Sequence, residues 1–240
     1  MKITIFTIFP NIINNFCSES LLGSTLKKNI WQLVVVNIRD YATDRHSRVD
    51  DTPYGGGQGM VMKPDVLGNA IENRTDKSTK IYYMSPRGKK LNQVKIAEIL
   101  KNEKIGIICG RYEGIDERVI EEYDVEEISI GDFVIMGGEL AALILVEGIV
   151  RCLDGVINKN SVLEDSFGGN ENNLYSNLLE YPLYTLPRIW KNREVPEILF
   201  SGNHKKIRQW KLEKSVEITK TRRPDLYEKF LENNPDIHNI

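Results

Sequence analysis

The sequence predicts an α/β fold, a largely parallel sheet followed by a small helical C-terminal domain. Two observations carry this. From Ile3 to Ile130 short apolar, β-branched runs alternate with helix-like segments, the pattern of strands covered on both faces. From Asp154 to about Asn177 the composition turns to Asn, Ser, Gly and acidic residues, including Gly168, Gly169 and Asn170, the mark of a flexible linker.

In chain order, Ile3–Phe9, Leu33–Ile38, Lys80–Met84, Ile105–Cys109 and Val125–Ile130 read as strands because each is a short apolar run bounded by polar or turn residues. Leu67–Arg74, Gln93–Leu100 and Asp116–Tyr123 read as helices, followed by an apolar helix from Glu139 to about Arg151. These elements make a first domain over residues 1–153. After the linker, 154–177, a small helical domain over 178–240 contains helices at Ser201–Thr221 and Pro224–Asn233. In the first of these, Ile207, Trp210, Leu212, Val216 and Ile218 form no single stripe.

Composition narrows the function classes. The 240 residues are 41% hydrophobic and 28% charged, enough to bury a core. Three scattered cysteines, Cys17, Cys109 and Cys152, offer neither a zinc spacing nor a disulfide framework, so a cytoplasmic location is expected. The start is a strand and not a signal peptide. The most apolar stretch, Leu140–Val150, carries Glu147 and is about half of the ~20 residues a membrane span needs. The net charge is only −2, but Ser201–Pro224 holds eight basic residues against Glu213 and Glu217, a local +6 that leaves −8 elsewhere. A phosphate-binding surface requires such concentration.

Three glycine-containing loops follow strands: Ser85-Pro86-Arg87-Gly88, Gly110-Arg111-Tyr112-Glu113-Gly114 and Gly131-Asp132-Phe133-Val134-Ile135-Met136-Gly137-Gly138. Parallel sheets gather ligands at the carboxyl ends of their strands. Neither G-x-G-x-x-G nor a P-loop spacing is present, which disfavours the usual dinucleotide and nucleotide sites. A further run, Gly55-Gly56-Gly57-Gln58-Gly59, reads as a shaped loop near the substrate.

The stretches Gly110–Arg118 and Ser129–Phe133 resemble the bacterial tRNA (guanine-N1)-methyltransferase family of the SPOUT superfamily. Pro53–Gly57, Ser85-Pro86, Glu164–Phe167, Tyr184-Thr185, Ser201–His204 and Arg222–Pro224 follow in matching order. The resemblance implies a SPOUT-type parallel sheet with a deep trefoil knot. It further implies that S-adenosylmethionine, the methyl donor, is held bent by Met84, Ser85, Pro86, Gly88, Gly110, Tyr112, Glu113, Gly114, Ser129, Ile130, Gly131, Asp132, Phe133, Val134, Ile135, Gly137 and Gly138. Two positions depart from the family: Arg87 stands for a glutamine and Ala141 for a proline.

The implied target is the guanosine immediately 3′ of the anticodon, itself preceded by a guanosine. Its N1 is protonated at neutral pH, so methylation needs a base and a cation beside O6. The resemblance puts the base at Asp165 and the cation at Arg151. An ordinary aspartate is a weak base for this task, and magnesium dependence is expected with no recognisable metal cage. The resemblance also implies a homodimer whose tRNA and donor sites are shared between subunits. Closure of the 154–177 segment is expected to bring Asp165 to the tRNA anticodon region. Rival readings are a ribose 2′-O-methyltransferase with the same donor loops and a non-catalytic RNA-binding regulator.

Overall fold

The computed structural model describes residues 1–158, 166–167, 175 and 177–235. Two compact units divide it, Met1–Val156 and Ile157–Ile240. Asp165 lies outside the described residues.

The first unit is built on five strands: β1 (Lys2–Thr7), β2 (Gln32–Asn37), β5 (Lys80–Lys90), β6 (Lys104–Ile108) and β7 (Glu126–Ser129). They form one sheet in the order β2-β1-β6-β5-β7, and every pairing in it is parallel. Period-2 alternation sends neighbouring side chains to opposite faces. Ile3, Ile5, Tyr82, Met84, Ile105 and Ile107 join one buried cluster, while Phe6, Ile81, Tyr83 and Ile108 join the other.

Helices α1 (Pro10–Cys17), α2 (Ser20–Lys27), α4 (Gln93–Ile99) and α6 (Glu139–Arg151) contribute to the first cluster. Helices α3 (Pro64–Arg74) and α5 (Glu117–Glu122) contribute to the second. The α/β expectation therefore holds. The sequence reading missed α1 and α2, whose eight residues apiece include several Asn, Ser and Thr; runs this short carry little periodicity. It also missed β3 (Asp50–Asp51) and β4 (Val61–Met62), a two-residue antiparallel pair.

One element differs in kind from its expectation. The strand starting at Lys80 does not end at Met84 but runs on to Lys90. Met84 and Lys89 both face Ile128 of β7, so Ser85-Pro86-Arg87-Gly88 is a wide bulge within one strand and not a loop after it. Gly88 makes this possible, because a Cβ there would run into the Glu127 and Ile128 backbone.

Helix α6 buries Ala141, Ala142, Leu143, Leu145, Val146, Ile149 and Val150, yet leaves Leu140 and Ile144 exposed on one stripe. Each fully buried aliphatic contributes ~1.5–3 kcal/mol, which fixes the helix against the sheet. No helix among the described residues is long and apolar enough to cross a membrane.

In the second unit, α7 (His204–Arg222) and α8 (Pro224–Asn233) follow a short hairpin, β8 (Ile189–Trp190) and β9 (Arg193–Glu194). Asn203 caps α7 by accepting from the Lys206 amide at 3.1 Å. The buried face of α7 is Leu212, Ser215, Val216 and Thr219, a regular i, i+3, i+4, i+7 stripe. Phe230 and Leu178 complete this core. The Thr219 hydroxyl donates to the Ser215 carbonyl at 2.6 Å and accepts from the Leu179 amide at 2.8 Å, so it is buried without an unmet bond.

Candidate active site

Because β6, β5 and β7 are neighbours, the bulge within β5 and the segments leaving β6 and β7 converge. The result is a cavity of about 210 Å³ in the first unit. Fifteen of the seventeen expected donor residues line it: Met84, Ser85 and Pro86 from the β5 bulge, Gly110, Tyr112, Glu113 and Gly114 after β6, and Ser129, Ile130, Gly131, Phe133, Val134, Ile135, Gly137 and Gly138 after β7.

The other two are elsewhere. Gly88 lets the bulge pack on β7, and Asp132 pairs with Lys90 at 2.6 Å on the exposed surface. Tyr83, Arg111, Ile128, Met136 and Ala141 line the cavity without having been foreseen. Tyr83 and Ile128 lie within strands, so only their register reveals them; Arg111 lay inside the quoted Gly110–Arg118 motif.

Arg111 organises the site. Its Nε donates to Glu139 Oε2 at 2.8 Å and its Nη2 lies 2.7 Å from the same oxygen. Glu139 Oε1 accepts from the Thr7 hydroxyl at 2.8 Å. The Arg111 guanidinium also sits 4.5 Å from the Phe9 ring centroid and donates to the Met136 carbonyl at 3.4 Å. The Glu139 side chain is 1% exposed and that of Arg111 21%, so the pair is charge-assisted and largely shielded. It ties the end of β1, the loop after β6 and the first turn of α6 together, with Glu139 favourably placed at a helix N-terminus.

The two main loops also touch through backbone. The Gly138 amide donates to the Gly110 carbonyl at 2.9 Å, and a Cβ on Gly138 would fall 2.7 Å from Cys109 Cα. Only glycine allows that approach. Tyr112 holds a φ of +59°, a strained position for a side chain of its size. The early glycine run meets this loop: Glu113 donates its amide to Met60 at 2.9 Å, Met62 donates to Gly114 at 2.9 Å, and the missing side chain of Gly59 makes room for the Glu113 carboxylate.

The walls mix apolar side chains, among them Ile130, Val134 and Ile135, with backbone polar groups of glycine turns, a composition suited to a ring with hydrogen-bonding edges. Burial pushes the Tyr83 phenol up and the Cys109 thiol well above its ordinary range, so both stay neutral. Arg87 reaches away to Glu117 at 2.9 Å and Glu127 at 3.1 Å, and hydrogen bonding to Glu127, then Glu117, raises its pKa. Ala141, in the first turn of α6, occupies a position where proline is tolerated.

Arg151 is the last residue of α6 and exposed. At 1.5 Å per residue the helix separates it from Glu139 by about 18 Å, so the cavity and Arg151 of one chain do not form one site. Among the described residues no group of three or more His, Cys, Asp or Glu could hold a metal ion.

A family model described as tRNA (guanine-1)-methyltransferase TrmD matches residues 1–229. A protein named tRNA (guanine-N(1)-)-methyltransferase from Rickettsia akari (strain Hartford) is 50% identical over 226 residues, 93% of this chain and 96% of its own. Its namesake from Ehrlichia canis (strain Jake) is 47% identical over 241 residues, 99% of each chain, and that of Pelagibacter ubique (strain HTCC1062) 45% identical over 230 residues, 95% and 98%. At this coverage and identity, the chain belongs to the tRNA (guanine-1)-methyltransferase TrmD family.

Proposed function

We propose that this chain transfers a methyl group from S-adenosylmethionine to N1 of the guanosine immediately 3′ of the anticodon in tRNA. The observation that carries the reading is the convergence of the β5 bulge and the segments after β6 and β7 on one cavity in a family member. Bound there, the donor supplies an electrophilic methyl on its sulfonium. Glycine turns bring backbone donors and acceptors to it, and Ile130, Val134 and Ile135 form an apolar wall. The knot of the SPOUT fold is part of the reading, and the Gly138–Gly110 bond, which draws the 131–138 segment back onto the loop after β6, fits it.

The remaining chemistry belongs to Asp165 and Arg151: the carboxylate takes the N1 proton and the guanidinium stabilises charge on O6. Because α6 holds Arg151 about 15 Å along its axis from Ala141, which lines the donor cavity, the site is completed by a second copy, and the protein acts as a homodimer. The exposed apolar residues Ile12 and Phe16 of α1 and Leu140 and Ile144 of α6 support a dimer, since such patches mark association surfaces. The basic helix α7 contributes phosphate contacts near the anticodon. Magnesium dependence belongs to the same reading. Three free cysteines, two of them buried, fit a cytoplasmic location.

The test is methyl incorporation from labelled donor into tRNA with guanosine after the anticodon, against the same tRNA with adenosine there. Incorporation confined to the first, recovered as a base and not a ribose product and strongly reduced by Asp165→Asn, is expected. Equal incorporation into both, or none with folded protein, tRNA, donor and magnesium, refutes it.

A further inference from the structure

In the second unit, one hairpin carries an exposed tryptophan, Trp190. Lys191 and Asn192 join β8 to β9 with φ values of +48° and +61°, the backbone of a type I′ turn. The register pairs Ile189 with Glu194 and Trp190 with Arg193, and the Val195 amide donates to the Arg188 carbonyl at 3.0 Å. Directly opposed residues share a face and successive ones alternate. Arg188, Trp190, Arg193 and Val195 therefore occupy one face, and Ile189 and Glu194 the other. The first face holds two arginines and a tryptophan with no carboxylate.

Each exposed ring nearby has its own cation. Lys191 Nζ sits 4.8 Å from the Trp190 ring centroid, and the Arg188 guanidinium 4.7 Å from that of Phe200. Trp190 is 59% and Phe200 54% exposed, although the unit has a core that takes Leu178, Leu212, Val216 and Phe230. The cations hold one side of each ring and leave aromatic surface to solvent.

We propose that this hairpin face is a stacking site for unpaired bases of the tRNA substrate, with Trp190 and Phe200 taking bases and Arg188, Lys191 and Arg193 the flanking phosphates. The inference rests on the proposed tRNA activity. Single-stranded nucleic acid presents π faces alternating with phosphates, and aromatic rings interleaved with cations match that alternation. A second copy of this chain is a poorer occupant, because the two arginines of the face, with no carboxylate on it, and Lys191 in the adjoining turn would be desolvated without compensation.

The experiment uses the full chain and an unmodified tRNA transcript with guanosine after the anticodon, measuring affinity across a salt series, donor binding and oligomeric state. Trp190→Ala is expected to weaken tRNA binding about tenfold with an unchanged salt slope and unchanged donor binding, and Trp190→Phe to restore most of it. Arg193→Ala should lower the salt slope by about one. Wild-type tRNA affinity in Trp190→Ala overturns the site while leaving the methyltransferase reading intact. A shift of Trp190→Ala towards monomer assigns the face to a second copy and equally overturns it. Failure of the wild-type chain to bind the transcript overturns both.

Discussion

Replacing Arg111 with alanine tests what holds the donor cavity in shape. The substitution strands a carboxylate that is 1% exposed, leaving it the Thr7 hydroxyl at 2.8 Å. Breaking a buried ion pair from one side costs about 3–5 kcal/mol. The remaining Thr7 bond and the positive end of α6 soften the loss, so about 3 kcal/mol is expected. Glu139→Ala should cost somewhat less, because the guanidinium it strands is 21% exposed and keeps the Phe9 ring and the Met136 carbonyl. The double variant should then show a coupling of roughly 2 kcal/mol. Unfolding by urea can be followed at Trp31, buried in the first unit, once Trp190 and Trp210 are changed to phenylalanine. Donor affinity should fall in parallel, since the pair ties the loop after β6 to the start of α6. A cost below about 1 kcal/mol for Arg111→Ala, or a coupling near zero, refutes the claim that this pair organises the site.

Other outcomes follow from the same geometry. Gly138→Ala places a Cβ 2.7 Å from Cys109 Cα and 2.9 Å from the Gly110 nitrogen; a loss of about 1–3 kcal/mol and strongly weakened donor binding by calorimetry are expected. Arg87→Gln removes exposed ion pairs and should change stability by no more than about 1 kcal/mol, read by urea midpoint. Burial pushes the Cys17 thiol up to about 11, with Glu147 adding to it, and burial also raises the Cys109 thiol well above its ordinary value. Raised folded pKa values mean that stability is whole below about pH 8.5, where unfolded thiols begin to ionise, and declines as pH climbs towards the folded values; Cys17→Ala should flatten part of that decline. Mixing Arg151→Ala with Gly138→Ala chains should restore about a quarter of wild-type activity if each site draws on two copies, and none if it draws on one.

How far the sequence could be read depended on how each element announces itself. The five main strands are continuous apolar runs, and α6 matches its expected bounds, Glu139–Arg151, because a long apolar segment between a glycine pair and a polar linker has one reading. The buried stripe of α7 was hidden because Ser215 and Thr219 belong to it while Ile207, Trp210 and Ile218 do not; the Thr219 hydroxyl is suited to a core by its two hydrogen bonds, whereas the buried Ser215 hydroxyl has no partner. Register was equally hidden. That Met84 and Lys89 share Ile128 as neighbour is a property of two strands together, and it turns an apparent loop into a bulge. The donor residues were named from motifs, whereas Arg111 and Glu139 emerge only when their 28-residue separation closes to 2.8 Å. The knot came from resemblance alone, since general topology disfavours it.

The two ends of α6 explain why one helix matters to both halves of the proposed reaction. Its N-terminus carries Glu139, which fixes Arg111 and the cavity loops; its C-terminus carries Arg151. Acidic and basic residues at these ends each complement the helix dipole, so local stability alone accounts for their charge types. It does not account for the exposed stripe of Leu140 and Ile144 between them. A helix that only closed a core would gain from polar residues there, as exposed leucine and isoleucine contribute little in water. If that stripe meets its counterpart on a second copy about a twofold axis, one chain's N-terminal cavity faces the other's C-terminal arginine. The length that keeps Arg151 out of its own cavity then supplies it to its neighbour's.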